Sequence, residues 1–187
     1  LALASGVPFN GMFLYVLSAP AFLGEHMGLA PTEFFWFFML TIGGIMGGAW
    51  TSGRLAGRIE PKRQIRYGFS VMLSMSLLNL VTNLLWTPQP WWALPPLGLF
   101  AFGWALMVPV VTLMVLDLFP ERRGMASSLQ AFIGSTANGL VAGVIAPLVM
   151  HSTAALAVTS TLLMSVGLVA WRVVRHRWPE TGRAHAH

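Results

Sequence analysis

The chain has 187 residues, of which 56% are hydrophobic and only 9% charged, and its mean hydropathy is +0.69. A soluble domain carries about 25% charged residues, so this composition cannot coat a water-soluble globule and indicates a membrane protein. Cysteine is absent, which excludes disulfides and thiolate metal sites, while the net charge of +5 keeps nucleic acid in view until the basic residues are placed.

Runs without Asp, Glu, Lys or Arg cover 1–24, 34–53, 67–116 and 124–171. A membrane helix needs about 20 apolar residues at about 1.5 Å rise each, so the first two runs hold one helix apiece. The last two are long enough for pairs of helices, joined at Thr87–Pro90 and at His151–Thr153. The expected fold is all-α and polytopic, with spans at about 3–23, 34–56, 67–86, 94–118, 125–149 and 154–174. These make one bundle over 1–176, followed by a polar tail over 177–187. The chain opens inside an apolar segment with no charged stretch ahead of it, unlike a signal peptide, and is expected to be part of something longer.

Span one carries Asn10, Leu14 and Ser18 on one helical face, with Tyr15 beside them. Its prolines, Pro8 and Pro20, are expected to bend it, as is Pro109 in span four. Span two opens on Phe34–Phe38, an aromatic girdle. It continues with Gly43/Gly47 and Gly44/Gly48, two overlapping small-residue pairs that let a neighbouring helix come close. After it comes "SGRLAGRIEPKR", with Arg54, Arg58, Lys62 and Arg63, and Arg66 just beyond.

Span three has Ser76, Asn79 and Asn83, and Trp86, Trp91 and Trp92 flank the turn that follows. Span four holds Trp104, whose ring face suits a flat or cationic ligand or fills the core. Asp117, near its end, is expected to pair with Arg122 or Arg123. In span five Ser127, Gln130, Gly134 and Asn138 recur at helical spacing, and Ser135, Gly139 and Gly143 form a further small-residue stripe. Trp171 and Trp178 close span six as an inner aromatic belt.

All eleven Lys and Arg residues fall on one side of this arrangement: between spans two and three, between four and five, and after six. The opposite loops hold only Glu25, Glu33, His26 and His151. By the positive-inside rule the basic side and both ends of the chain are cytoplasmic. The charge is thereby explained as a topology signal, and no nucleic acid partner is expected.

Two readings of the intramembrane polar groups remain open. One is interhelical hydrogen bonding, worth about 0.6 kcal/mol each. The other is a partly wet substrate cavity lined by Asn10, Tyr15, Trp104, Gln130 and Asn138. No carboxylate lies deep in a span, so the chain shows no evident proton carrier. No His lies within a span to activate a serine, and no metal-ligating cluster is present, so neither an enzyme nor a cofactor is expected.

"GRLAGRIEPKR" resembles the loop signature of the major facilitator superfamily, G-x-L-A-D-R-x-G-R-K, through Gly53, Leu55, Ala56, Arg58 and Lys62. Gly57 stands where that pattern has Asp, Glu60 replaces its second Gly, and Pro61 replaces an Arg. Tyr15–Phe38 is similar to the seventh-helix region of bicyclomycin/chloramphenicol-resistance-type drug–proton antiporters, through Tyr15, Pro20, Gly28, Leu29, Pro31 and Phe35. Leu116–Phe132 resembles that group's link between helices ten and eleven, through Pro120, Gly124, Ala126, Ser127 and Ser128.

The resemblance implies the C-terminal six of twelve helices, alternating access around a central cavity, and export of drugs or metabolites against protons from a bacterial inner membrane. It also implies an N-terminal half as partner, where related antiporters usually keep the coupling carboxylate. An importer or exporter of one metabolite, or a stand-alone membrane enzyme or scaffold, are the alternatives.

Overall fold

The computed structural model describes residues 1–87 and 89–177, and all regular elements among them are helical. Helices satisfy their own peptide groups, which is what hydrocarbon demands. α1 covers Ala2–Leu17, and a π-helical segment, Pro20–His26, extends it after a bend of 49°. α2 is Phe35–Leu55, α3 Pro61–Leu85 and α4 Pro90–Leu118. α5, Arg123–Leu140, passes through a π-helical stretch, Val141–Ile145, into α6, Ala146–Val149. α7 is Thr153–Arg177. Five helical stretches are long and apolar enough to cross a membrane, and the bent first pair makes a sixth. The chain is an all-α polytopic membrane protein.

Helices and apolar windows do not coincide everywhere. α3 begins at Pro61 instead of 67, because proline at the first helical position has the right φ and no N–H to waste. Lys62, Arg63 and Arg66 therefore ride on its first turns. Pro90 starts α4 in the same way, four residues before the window opens. α4 runs as one helix through Pro95, Pro96 and Pro109, as membrane helices tolerate. Pro8 likewise stays inside α1 and seats its ring against Gly167 of α7. Pro20 opens the segment that follows the 49° bend.

α4 is the centre of the bundle, with α2 and α3 against it; α1 lies on α7 and is crossed by α5. One core, at the arginine-bearing end, gathers Ile65, Phe69, Met72, Phe100, Met107 and Trp171. A second, at the opposite end, gathers Tyr15, Phe22, Phe37, Leu97 and Leu156. Leu113, Phe132, Leu148 and Leu162 are exposed, as expected of side chains that face lipid.

Of the two overlapping glycine pairs only Gly44/Gly48 is seated. A Cβ on Gly48 would stand 2.9 Å from Ala105 Cβ and collide with the Phe102 carbonyl; one on Gly44 would strike the Gly98 carbonyl. Around Gly43 there is open space, and Gly47 meets only the Phe102 ring, at 3.5 Å. Gly139 and Gly143 also face open space, so the α5 stripe packs on nothing among the described residues. α2 and the α5–α6 span are the least buried, at 17% and 11% of their apolar windows.

Trp36, Trp86 and Trp91 are exposed at the end opposite the arginines, where an aromatic girdle belongs. Trp171 is a correction. It is 4% exposed and packs in the core, because its face of α7 turns toward α3; the exposed rings at that end among the described residues include Trp50, beneath the Arg54 guanidinium at 4.2 Å, Tyr67 and Phe119. Trp178 lies outside the described residues.

Candidate functional site

The polar cluster lies where α1, α4 and α5 meet. Gln130 of α5 donates from Nε2 to Ser5 Oγ at 3.3 Å and to Thr112 Oγ1 at 3.2 Å, joining all three helices. Trp104 Nε1–H donates to the Ser5 carbonyl at 2.9 Å. Phe9 rests on the Trp104 ring at 4.7 Å and stacks on Phe13 at 5.5 Å. The helices come this close because Gly6 faces Gly134: a Cβ on Gly6 would lie 3.3 Å from Gly134 Cα.

Both Gln130 N–H groups are thus committed, while no partner for its Oε1 occurs among the described residues. That leaves an unused acceptor on a residue tied to the same Ser5 as Trp104. Toward the arginine end a largely apolar cavity of about 410 Å³ adjoins Gln130, walled by Val115, Leu118, Leu129, Ile133 and Val174.

The structure brings together two of the five expected cavity residues, Trp104 and Gln130. Tyr15 goes elsewhere: it is fully buried, and its hydroxyl accepts from Asn79 Nδ2 of α3 at 2.6 Å. Asn83 Nδ2 closes the chain onto Asn79 Oδ1 at 2.9 Å. Tyr15 and the span-three asparagines therefore form an α1–α3 tie. Asn10 is also fully buried; it donates to its own helix at the Gly6 carbonyl, 3.1 Å away, and its Oδ1 has no partner. Asn138 shares the Gln130 face, about 12 Å further along α5. It is half-buried and outside the cluster's hydrogen bonds. Ser127 is exposed. Sequence reading missed Ser5 and Thr112. Their signal was intramembrane polarity, but neither stands in a repeating polar stripe.

In the basic loop Gly53, Ala56 and Arg58 are exposed, while Leu55 and Lys62 are half-buried. Gly57 has φ +74°, a left-handed residue just past the end of α2. Glycine is the usual choice there, so the residue that stands in place of an Asp has a conformational reason. The brace between helices at this level is Gln64. It is buried at 2% exposure and donates from Nε2 to Ser52 Oγ of α2 at 2.7 Å and to the Leu106 carbonyl of α4 at 2.9 Å. Arg123 and Asp117 pair at 3.3 Å, exposed to solvent.

The described residues therefore define a polytopic helical bundle with a polar and aromatic junction inside it, and no cluster of His or carboxylates that could hold a metal. Residues 1–147 match the family model of the Major Facilitator Superfamily, and the chain belongs to that family, whose transporters are not enzymes. It is similar to "Multidrug resistance protein D" of Escherichia coli (strain K12), with 24% identity over 181 residues. The match covers 92% of this chain and 43% of that relative, so the chain spans less than half the relative's length. No solved structure matches significantly.

Proposed function

We propose that the chain is one six-helix half of a twelve-helix bacterial inner-membrane transporter that exports drugs or small metabolites in exchange for protons by alternating access. The observation that carries this reading is the α1–α4–α5 junction, where Gln130, with an unused acceptor, and Trp104 both bond to Ser5, and Phe9 rests on the Trp104 ring. A flat, partly cationic molecule suits such a surface: it can stack on the rings and donate to the amide oxygen. The name of the relative points the same way.

The low burial of α2 and of the α5–α6 span supports a partner half. An unpartnered face of this kind is where a second bundle packs, and a cavity then forms between the two. No carboxylate lies deep in a described span, so the reading places the coupling proton on the other half. The arginine-bearing end faces the cytoplasm, by the positive-inside rule, and so do both ends of the chain.

The test expresses the complete natural polypeptide in cells stripped of their major efflux pumps. Accumulation of a cationic dye should fall, and a protonophore should restore it. Unchanged accumulation across a broad compound panel sinks the multidrug reading; export that persists with the protonophore sinks proton coupling.

A further inference from the structure

α3 and α7 run side by side, and at the arginine-bearing end they part around a groove of about 470 Å³. Arg66 from α3 and Arg172 and Arg175 from α7 stand at its mouth, all three exposed. His176 completes the rim. Deeper in, the groove changes character: its walls are Phe69 and Leu73 of α3 and Leu168 of α7, and the buried Trp171 lines it beside the small Ser70. From Arg66 to Leu73, and from Arg175 to Leu168, the helices rise about 10 Å. One turn deeper the two helices meet, Ser76 bonding Thr161 at 2.9 Å, while Ser70 on the groove wall, Val169 beside Leu168 and Leu77 beyond Leu73 are exposed. The groove therefore opens sideways into the hydrocarbon, with its positive rim at headgroup level.

We propose that this groove is a binding site for an anionic phospholipid, with the phosphodiester held by Arg66, Arg172 and Arg175 and an acyl chain laid along Phe69, Leu73 and Leu168. Guanidinium groups pair with phosphate oxygens as planar forks, and basic pockets between membrane helices suit acidic headgroups. A free anion would use the rim and leave the apolar depth empty. A zwitterionic lipid would bring its own cation against the three arginines. Among the described residues the one ion pair, Arg123–Asp117, is elsewhere, so no carboxylate there competes for this rim. The inference rests on the chain crossing a membrane and is independent of what is transported.

The experiment uses the complete natural polypeptide, delipidated in detergent and titrated with phosphatidylglycerol, phosphatidylcholine or inorganic phosphate under native mass spectrometry. One phosphatidylglycerol should bind in clear preference to phosphatidylcholine. Each arginine is worth about fivefold, so Arg66→Ala/Arg172→Ala/Arg175→Ala should weaken binding about a hundredfold. The corresponding triple Lys variant should keep most of it, and Ser70→Trp should weaken it by filling the groove with its charge intact. These two variants decide the matter if the triple Ala protein does not fold. Equal binding of the two lipids overturns the proposal, as does displacement of phosphatidylglycerol by phosphate at similar concentration. So does a Ser70→Trp protein that binds normally while Arg122→Ala/Arg123→Ala weakens binding as much as the groove variant.

Discussion

The α2–α4 contact gives a sharp prediction, because neighbouring glycines in one helix should respond in opposite directions. Gly48→Ala places a methyl group against the Phe102 carbonyl and 2.9 Å from Ala105 Cβ, and Gly44→Ala strikes the Gly98 carbonyl. Backbone cannot swing aside as a flexible side chain does, so the helices must separate locally. Overpacking of this kind costs about 1–3 kcal/mol, offset by about 0.5–1 kcal/mol from replacing glycine inside a helix. The net is about 0.5–2 kcal/mol of destabilisation per site. At about 2–4 °C per kcal/mol, each variant should melt about 1–8 °C lower. Gly47→Ala meets only the Phe102 ring, at 3.5 Å, and should melt at or slightly above the parent temperature. Melting of the purified complete protein, followed by tryptophan fluorescence, reads all three. If Gly47→Ala is as destabilising as Gly48→Ala, the helix face assigned to this contact is wrong.

Three further outcomes are expected. Gly57→Asp, which restores the residue of the family loop pattern, should destabilise by about 1 kcal/mol because φ is +74°; Gly57→Asn should do less harm, and melting temperatures rank the two. Tyr15→Phe removes the oxygen that Asn79 Nδ2 reaches at 2.6 Å and should destabilise by about 1–3 kcal/mol, with no change in which compounds are exported when the assay is matched for expression. Gln64→Leu breaks the bonds to Ser52 and Leu106 and should lower the melting point, whereas Asp117→Asn, losing an exposed pair, should leave it nearly unchanged.

The architecture was legible because charge is excluded from hydrocarbon: four charge-free runs and the one-sided placement of the arginines report the helices before any contact is known. Helix ends were less legible. Lys62, Arg63 and Arg66 look like loop by charge, yet Pro61 is a helix start, and long basic side chains reach the interface from the first turns of a helix. Spacing likewise showed which residues share a face, but not which neighbour that face meets. Gly43/Gly47 and Gly44/Gly48 are indistinguishable by period, and only the position of α4 chooses between them.

The same limit governed the site. Tyr15 and Gln130 were equally plausible as intramembrane polar residues. The rotation of α1 turns Tyr15 to Asn79, while Ser5, one residue from the Gly6–Gly134 approach, meets Gln130. Gln64 lay hidden inside a basic run that was explained by topology alone. Trp171 looked like a belt residue from its place near the helix end, and its rotation about α7 puts it in the core.

The central claim is that the α1–α4–α5 junction contacts the transported molecule and that the Tyr15–Asn79 tie does not. The most direct test compares Gln130→Ala, Trp104→Ala and Tyr15→Phe in the complete protein, at matched expression, over a panel of cationic and neutral aromatic compounds. The account predicts that the first two variants reorder which compounds are exported, with losses of severalfold for some and little for others, while Tyr15→Phe keeps the parental order. Parental order in both junction variants, or reordering by Tyr15→Phe alone, contradicts it.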